Sequence, residues 1–188
     1  SDDAYYNNIT RLQDDIEYLV LSSQHKRKIS RFPQGLKFLN ISAWSYNHQL
    51  DNLPNGLTHL QIYIEHNITG HLHNLPSGLE YLTIGSNYNS CLVDLNHLPP
   101  ALRYLSLIGI SHYHGSLDFL PIGLKCLVVP QYYGGYLRNL PPFLEILDLY
   151  GGYDGRIEEL PTSVQTIIIS QHRGYDIADE YVHLVKAI

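Results

Sequence analysis

The stretch Leu53-Pro54-Asn55-Gly56-Leu57-Thr58-His59-Leu60-Gln61-Ile62 carries the spacing that decides the fold. After its Leu-Pro pair, apolar residues follow four, seven and nine positions on. The pair recurs as Phe32-Pro33, Leu53-Pro54, Leu75-Pro76, Leu98-Pro99, Leu120-Pro121, Leu140-Pro141 and Leu160-Pro161, in steps of 21, 22, 23, 22, 20 and 20 residues. Self-similarity at such a period marks a stacked repeat.

Counting from the Leu of Leu-Pro as offset zero, offset four reads Leu36, Leu57, Leu79, Leu102, Leu124, Leu144, Val164. Offset seven reads Leu39, Leu60, Leu82, Leu105, Leu127, Leu147, Ile167, and offset nine Ile41, Ile62, Ile84, Leu107, Val129, Leu149, Ile169. An earlier copy, Leu12, Ile16, Leu19 and Leu21, has Gln13 in place of Pro, which brings the count to eight. Offsets seven and nine are two apart, so they share one face of a strand. One short strand cannot bury that face alone; stacked copies form a parallel sheet over a continuous core. Proline before the strand costs little, because its missing N–H lies outside the ladder. Gly35, Gly56, Gly78 and Gly123 at offset three are expected at a tight bend.

A second apolar position lies three before Leu-Pro: Ile29, Leu50, Leu72, Leu95, Leu117, Leu137, Ile157. Four residues before it stand Tyr46, Tyr113, Tyr133 and Tyr153, with Tyr88 shifted by an insertion. These tyrosines are expected to pack on the side opposite the sheet.

Leu-Pro-x-Gly/Ser-Leu-x-x-Leu-x-Leu/Ile followed by aromatic-Asn-x-x-Leu/Ile resembles the FNIP repeat, a leucine-rich-repeat variant. Leu75-Pro76-Ser77-Gly78-Leu79-Glu80-Tyr81-Leu82-Thr83-Ile84-Gly85 is close to it. The resemblance extends over residues 12–177, with Tyr in place of Phe and Asn often lost. It implies a protein-interaction domain of the kind found in social amoebae and giant viruses of amoebae, in host cytoplasm if viral. Where such proteins carry an F-box, it implies the substrate-recognition part of a ubiquitin-ligase adaptor.

The expected fold is a right-handed leucine-rich-repeat solenoid of about eight repeats, with a parallel sheet on the concave face and an irregular convex side. Residues 1–11 form an N-terminal cap, 12–175 the solenoid and 176–188 a C-terminal cap. In the last, Ile177, Tyr181, Leu184 and Ile188 follow helical spacing, with Asp176 as the capping residue. The expectation is a capping helix, with a partner-binding helix as the alternative. No Met occurs anywhere, so a processed or excised piece is expected, and a preceding F-box would not be visible.

Charged residues make up 16% of the chain and the net charge is −6, which disfavours nucleic acid as a partner. The cluster His25-Lys26-Arg27-Lys28 reads as a solvated loop. Cys91 and Cys126 sit at unlike offsets, so no disulfide is expected and a reducing, cytoplasmic setting is favoured. No apolar run reaches the roughly 20 residues of a membrane span. The sequons at Asn8, Asn40 and Asn67 lack a secretory signal to support them.

His71-x-His73 and His112-x-His114 lack the third and fourth ligands that zinc needs. Nothing selects a nucleophile with its base, and no Gly-rich phosphate loop occurs. The expectation is a non-enzymatic chain with no metal or cofactor. The surface that remains is the sheet's outward face, at offsets six, eight and ten. Offset six reads Tyr18, Phe38, His59, Tyr81, Tyr104, Cys126, Ile146, Thr166. Its first five residues make a row of rings ~20 Å long at ~4.8 Å per strand. Candidate binding residues are Tyr18, Phe38, His59, Gln61, Tyr63, Tyr81, Tyr104, Asp148 and Tyr150, facing a protein partner. A self-associating structural protein is the alternative, because charge is sparse and solenoid ends are open.

Overall fold

The computed structural model describes residues 12–22, 25, 28–42, 50, 52–63, 72–85, 95–111, 113–149, 151–171 and 174–188. Tyr150, Tyr46, Tyr88, His71, His112, Cys91, Asn8, Asn67 and the expected N-terminal cap lie outside the described residues.

Each Leu-x-Leu segment is a strand: β1 (Tyr18–Leu21), β2 (Phe38–Ile41), β3 (His59–Tyr63), β4 (Tyr81–Gly85), β5 (Tyr104–Gly109), β6 (Cys126–Val128) and β7 (Ile146–Asp148). The short β8 (Arg156–Ile157) lies on a return arm, and β9 (Thr166–Ile169) is the eighth repeat strand. β10 (Asp176–Ile177) and β11 (Val185–Ala187) complete the chain's strands. The main sheet has nine strands in the order β1-β2-β3-β4-β5-β6-β7-β9-β11. All are parallel, and the eight repeat strands pair offset for offset apart from a one-residue slip between β4 and β5. Eight such strands bound about seven turns of a parallel β-solenoid of the leucine-rich-repeat type.

The lead-in turn explains the proline. Its carbonyl accepts the N–H of offset four in every repeat, from Leu36 on Pro33 to Val164 on Pro161, at 3.0–3.2 Å. Gln13 makes the same turn with Ile16 at 3.3 Å, so the first copy keeps the geometry without the residue. The offset-three glycines do not serve a left-handed backbone: none has positive φ, unlike Gly152 at 96°. Gly35 is required for closeness instead. A Cβ there would sit 2.6 Å from the Asp14 carbonyl, to which its own N–H donates at 2.9 Å.

Offsets four and seven are buried in all seven proline repeats, and offset nine is buried through Leu149. A fully buried Leu or Ile contributes about 1.5–3 kcal/mol by leaving water, and here each also packs on its copies above and below. The return side has its own stack. Tyr113, Tyr133 and Tyr153 are buried, with ring centroids 6.1 and 6.2 Å apart. The Tyr133 hydroxyl donates to the Gly115 carbonyl at 3.2 Å and accepts the Leu117 N–H, joining its arm to the preceding one. Gly115, Gly135 and Gly155 lie two residues after these tyrosines. A Cβ on any of them would overlap the tyrosine hydroxyl. The Tyr-x-Gly triplet is therefore a unit whose tyrosine folds back over its own glycine.

The expected C-terminal helix is not formed. Asp176–Ile177 pairs with β8 as a strand, Asp179–Leu184 is a single 3-10 helix, and Val185–Ala187 pairs with β9. Asp176 is not the cap; Ala178 is, without a side-chain hydrogen bond. An α-helix here would leave the N–H and C=O groups along one edge of β9 unpaired, and the chain satisfies them with one more strand. Ile177, Tyr181 and Leu184 do reach the core edge, as their spacing suggested, but Ile188 stays exposed. The Tyr181 hydroxyl accepts the Leu160 N–H at 3.2 Å.

Burial, then Asp118 and Tyr153, push the Tyr133 hydroxyl up to about 12. An unfolded tyrosine ionises near ~10, so the folded chain keeps a proton that the unfolded one releases. Its contribution is complete below pH ~10 and is lost as pH rises towards ~12. Tyr133→Phe should lower stability by about 1–3 kcal/mol near neutral pH, because it strands buried backbone groups. Urea unfolding from pH 8 to 12 checks this: the gap between wild type and variant should narrow above pH ~10.

Candidate functional site

The offset register carries the ring row onto the outward face as a continuous series. Tyr18 stacks on Phe38 at 4.1 Å and 8°, and His59 on Tyr81 at 4.2 Å and 7°. Between these two tight pairs, Phe38 and His59 are 6.3 Å apart and tilted by 36°. Tyr81 and Tyr104 continue the row at 6.0 Å and 31°. Parallel strands lie about 4.8 Å apart, so rings at equal offsets come within stacking reach of each other. In the two tight pairs the facing ring surfaces are spent on each other. Tyr18 is 68% exposed and Tyr81 40%.

Offset eight runs beside the rings. The Asn40 amide donates to Gln61 Oε1 at 2.8 Å, and Ser42 donates to Asn40 Oδ1 at 2.7 Å. Asn40 therefore belongs with Gln61 although it is absent from the sequence-derived set; adjacent amide residues at one offset were the available signal. His59 Nδ1 shares a 2.9 Å hydrogen bond with Thr58 Oγ1. Tyr63 lies across Gly85, where a Cβ would come within 2.6 Å of its ring. Thr83, Ser106 and Val128 are buried despite facing outward. Tyr104 hydrogen-bonds Ser106, while its own burial, aided by Cys126, Asp148 and Tyr63, raises its hydroxyl above the ordinary range.

One irregularity interrupts the face. Between Thr83↔Ser106 and Gly85↔Gly109 the register slips by one, so β5 carries an extra residue. Such a bulge bends the strand and turns a side chain out of line. Here Leu107 and Ile110 both stay in the core, and Ile108 at offset ten faces outward, 43% exposed. Beyond the bulge the face turns aliphatic, with Cys126, Ile146 and Ile168 around Asp148. Nine candidates were read from the sequence. The structure aligns Tyr18, Phe38, His59, Tyr81 and Tyr104 in one row, sets Gln61, Tyr63 and Asp148 beside that row or its continuation, and does not describe Tyr150.

Elsewhere, a groove of about 240 Å³ on the return side is lined by Tyr136, Arg138, Arg156 and Glu158. Arg138 stacks on Tyr136 at 4.7 Å, and Arg156 pairs with Glu158 at 3.3 Å and Asp176 at 3.7 Å. Among the described residues no group of three or more His, Cys, Asp or Glu is arranged to hold a metal ion. No helix among them is long and apolar enough to cross a membrane.

These features define a parallel β-solenoid of the leucine-rich-repeat class with one ring-lined sheet face. Residues 66–109 match the family model of the FNIP Repeat. The crystal structure of CroV588, described as a novel circular LRR protein structure, is similar to this chain with a TM-score of 0.72 and 21% identity. That similarity covers 97% of this chain and 28% of CroV588, so the chain spans little more than a quarter of that protein's length. At this identity the likeness establishes the fold. No curated protein sequence matches the chain.

Cys126 is a free thiol on the outward face, pushed up to about 11 by burial and then by Asp148. A thiol held protonated is a poor nucleophile. Iodoacetamide labelling with peptide mapping should find Cys126 slow near pH 7 and faster towards pH ~11. Rapid labelling at neutral pH would contradict this account of its surroundings.

Proposed function

We propose that this chain is a non-enzymatic protein-interaction module that receives a polypeptide partner on the outward face of its sheet. The observation that carries the reading is the unbroken row Tyr18, Phe38, His59, Tyr81 and Tyr104, partly open to solvent on a rigid parallel sheet. Exposed aromatic patches are enriched at interaction sites, where a rigid ring contributes large contact area at small entropic cost. Geometry favours a peptide over a sugar or a base. Those ligands stack on open ring faces, and within the Tyr18–Phe38 and His59–Tyr81 pairs the facing surfaces are occupied by each other. Ring edges and tyrosine hydroxyls suit backbone carbonyls, and the Asn40–Gln61 amides add donors and acceptors beside them. A net charge of −6 works against nucleic acid.

A role in target recognition for an F-box adaptor, and a viral or host-cytoplasmic setting, rest on the family resemblance alone. A second reading, self-association through the solenoid ends, is supported by the likeness to part of a circular LRR protein and by β11, which pairs on one side only. Lys186, exposed in β11, opposes it, because edge lysines discourage strand addition. Light scattering over a range of concentrations separates the two: a constant mass favours recognition, a rising mass assembly.

Tyr81→Ala combined with Tyr104→Ala should abolish partner binding while unfolding stays cooperative. The loss in stability should be modest, since cross-strand pairs contribute about 0.2–1 kcal/mol each. Binding measured by calorimetry on the doubly substituted chain checks this, and unchanged affinity would sink the proposal.

A further inference from the structure

The return-side groove of about 240 Å³ is lined by two neighbouring arms, residues 134–138 and 155–159. Its opening follows from a missing side chain. Gly135 and Gly155 are needed where they stand, because a Cβ on either would overlap a tyrosine hydroxyl. Gly134 is needed for neither backbone nor packing. Its φ is not positive, and a Cβ there would meet nothing within 4 Å. His114 and Asp154 hold the same offset in the flanking arms, so the arm accepts a side chain at this position. What glycine at 134 leaves is open space at the groove.

Tyr136 stands four residues before Leu140-Pro141, an offset that Ser116 and Arg156 fill in the flanking arms. The repeat does not call for a ring here, and this one is largely exposed. The Arg138 guanidinium lies over it, 4.7 Å from the centroid. Neither Arg138 nor Glu159 forms an ion pair among the described residues. Arg156 directs its Nε at Glu158 and Asp176, and its terminal nitrogens keep further N–H donors. All three of these side chains are more than half exposed, so their pairing is weak and they turn to a ligand at little cost.

Arg138 and Arg156 against Glu158 and Glu159 leave the groove without net charge. An anion would meet the two carboxylates and a cation the two guanidiniums, each at a like-charge cost. A wholly apolar ligand would strip water from these charged groups without replacing their hydrogen bonds. A neutral ligand with hydroxyls around an apolar face incurs neither cost. We propose that the groove is a saccharide-binding site. The C–H face of one sugar ring lies on Tyr136, while its hydroxyls donate to the Glu158 and Glu159 carboxylates and accept from Arg138 and Arg156. Sites for drug-sized ligands span ~300–1,000 Å³, so a groove of about 240 Å³ suits a single sugar ring. The site stands apart from the ring row on the sheet and does not depend on the peptide reading of that face.

Saturation-transfer difference NMR on the full chain tests this, with the methyl glycosides of glucose, galactose, mannose and N-acetylglucosamine as probes. Inorganic phosphate and the free amino acid glycine, followed by changes in the protein's amide shifts, serve as charged probes. Each is titrated against wild type, Gly134→Leu, which fills the groove, and Tyr136→Ala. Phe119→Ala is the control, an equally exposed ring that does not line the groove. Circular dichroism confirms that each variant is folded. At least one glycoside is expected to bind with a dissociation constant on the order of 1 mM. Gly134→Leu should abolish its signal, Tyr136→Ala should weaken binding about tenfold, and Phe119→Ala should leave it unchanged. No binding of any glycoside, or binding undiminished in Gly134→Leu or in Tyr136→Ala, overturns the proposal. Phosphate or glycine binding that Gly134→Leu removes and no glycoside displaces marks a site for a charged ligand and overturns it as well.

Discussion

Every rung enters its strand through one hydrogen-bonded turn, in which the carbonyl at offset one receives the N–H at offset four. That turn sets the phase of the strand behind it. With it in place, the carbonyl at offset five accepts the N–H groups of offsets five and six on the next rung, as Lys37 does for Thr58 and His59. The leucines at offset seven then meet leucines and the rings at offset six meet rings. A slip of one residue would send the core face into water and the rings into the core. The burial of Leu60, Leu82, Leu105 and their equivalents opposes such a slip at every rung, so inside and outside are specified repeat by repeat.

The same phase governs the return side, though by different chemistry. There the arms make few backbone bridges, such as Tyr133↔Tyr153, and the tyrosine hydroxyls supply bonds that a helix or strand would otherwise make. The glycine two residues on leaves room for the ring to fold back. Two sets of tyrosines thus do opposite work in one chain. One set is sealed inside the arms and ties rungs together; the other stands in a row on the sheet, and its edges form the candidate contact surface.

Much of this was legible in the residues. Offsets four, seven and nine announced the core, and offset six announced the ring row in the correct order, because both derive from a period and an alternation. What depended on competition between local and neighbouring structure was not. Residues 176–188 have helical spacing at Ile177, Tyr181 and Leu184, yet the unpaired edge of β9 draws Val185–Ala187 into the sheet. The offset-three glycines suggested a tight bend; at Gly35 the added constraint is a carbonyl 2.6 Å from where a Cβ would sit, which only the neighbouring rung reveals. The seat of Tyr63 over Gly85, the bulge in β5 and the tilt between Phe38 and His59 arise from side-chain shape across rungs and leave no mark in the period.

The claim on which the rest depends is that offset alone sorts the tyrosines into a buried set and an exposed set. Hydroxyl-radical footprinting read residue by residue by mass spectrometry measures that sorting directly. Tyr18 and Tyr81 should oxidise readily, as should Tyr136, which is 72% exposed on the return side. Tyr113, Tyr133 and Tyr153 should stay protected until the chain unfolds. Comparable oxidation of Tyr81 and Tyr133 in the folded protein would contradict the register and, with it, the surface built on that register.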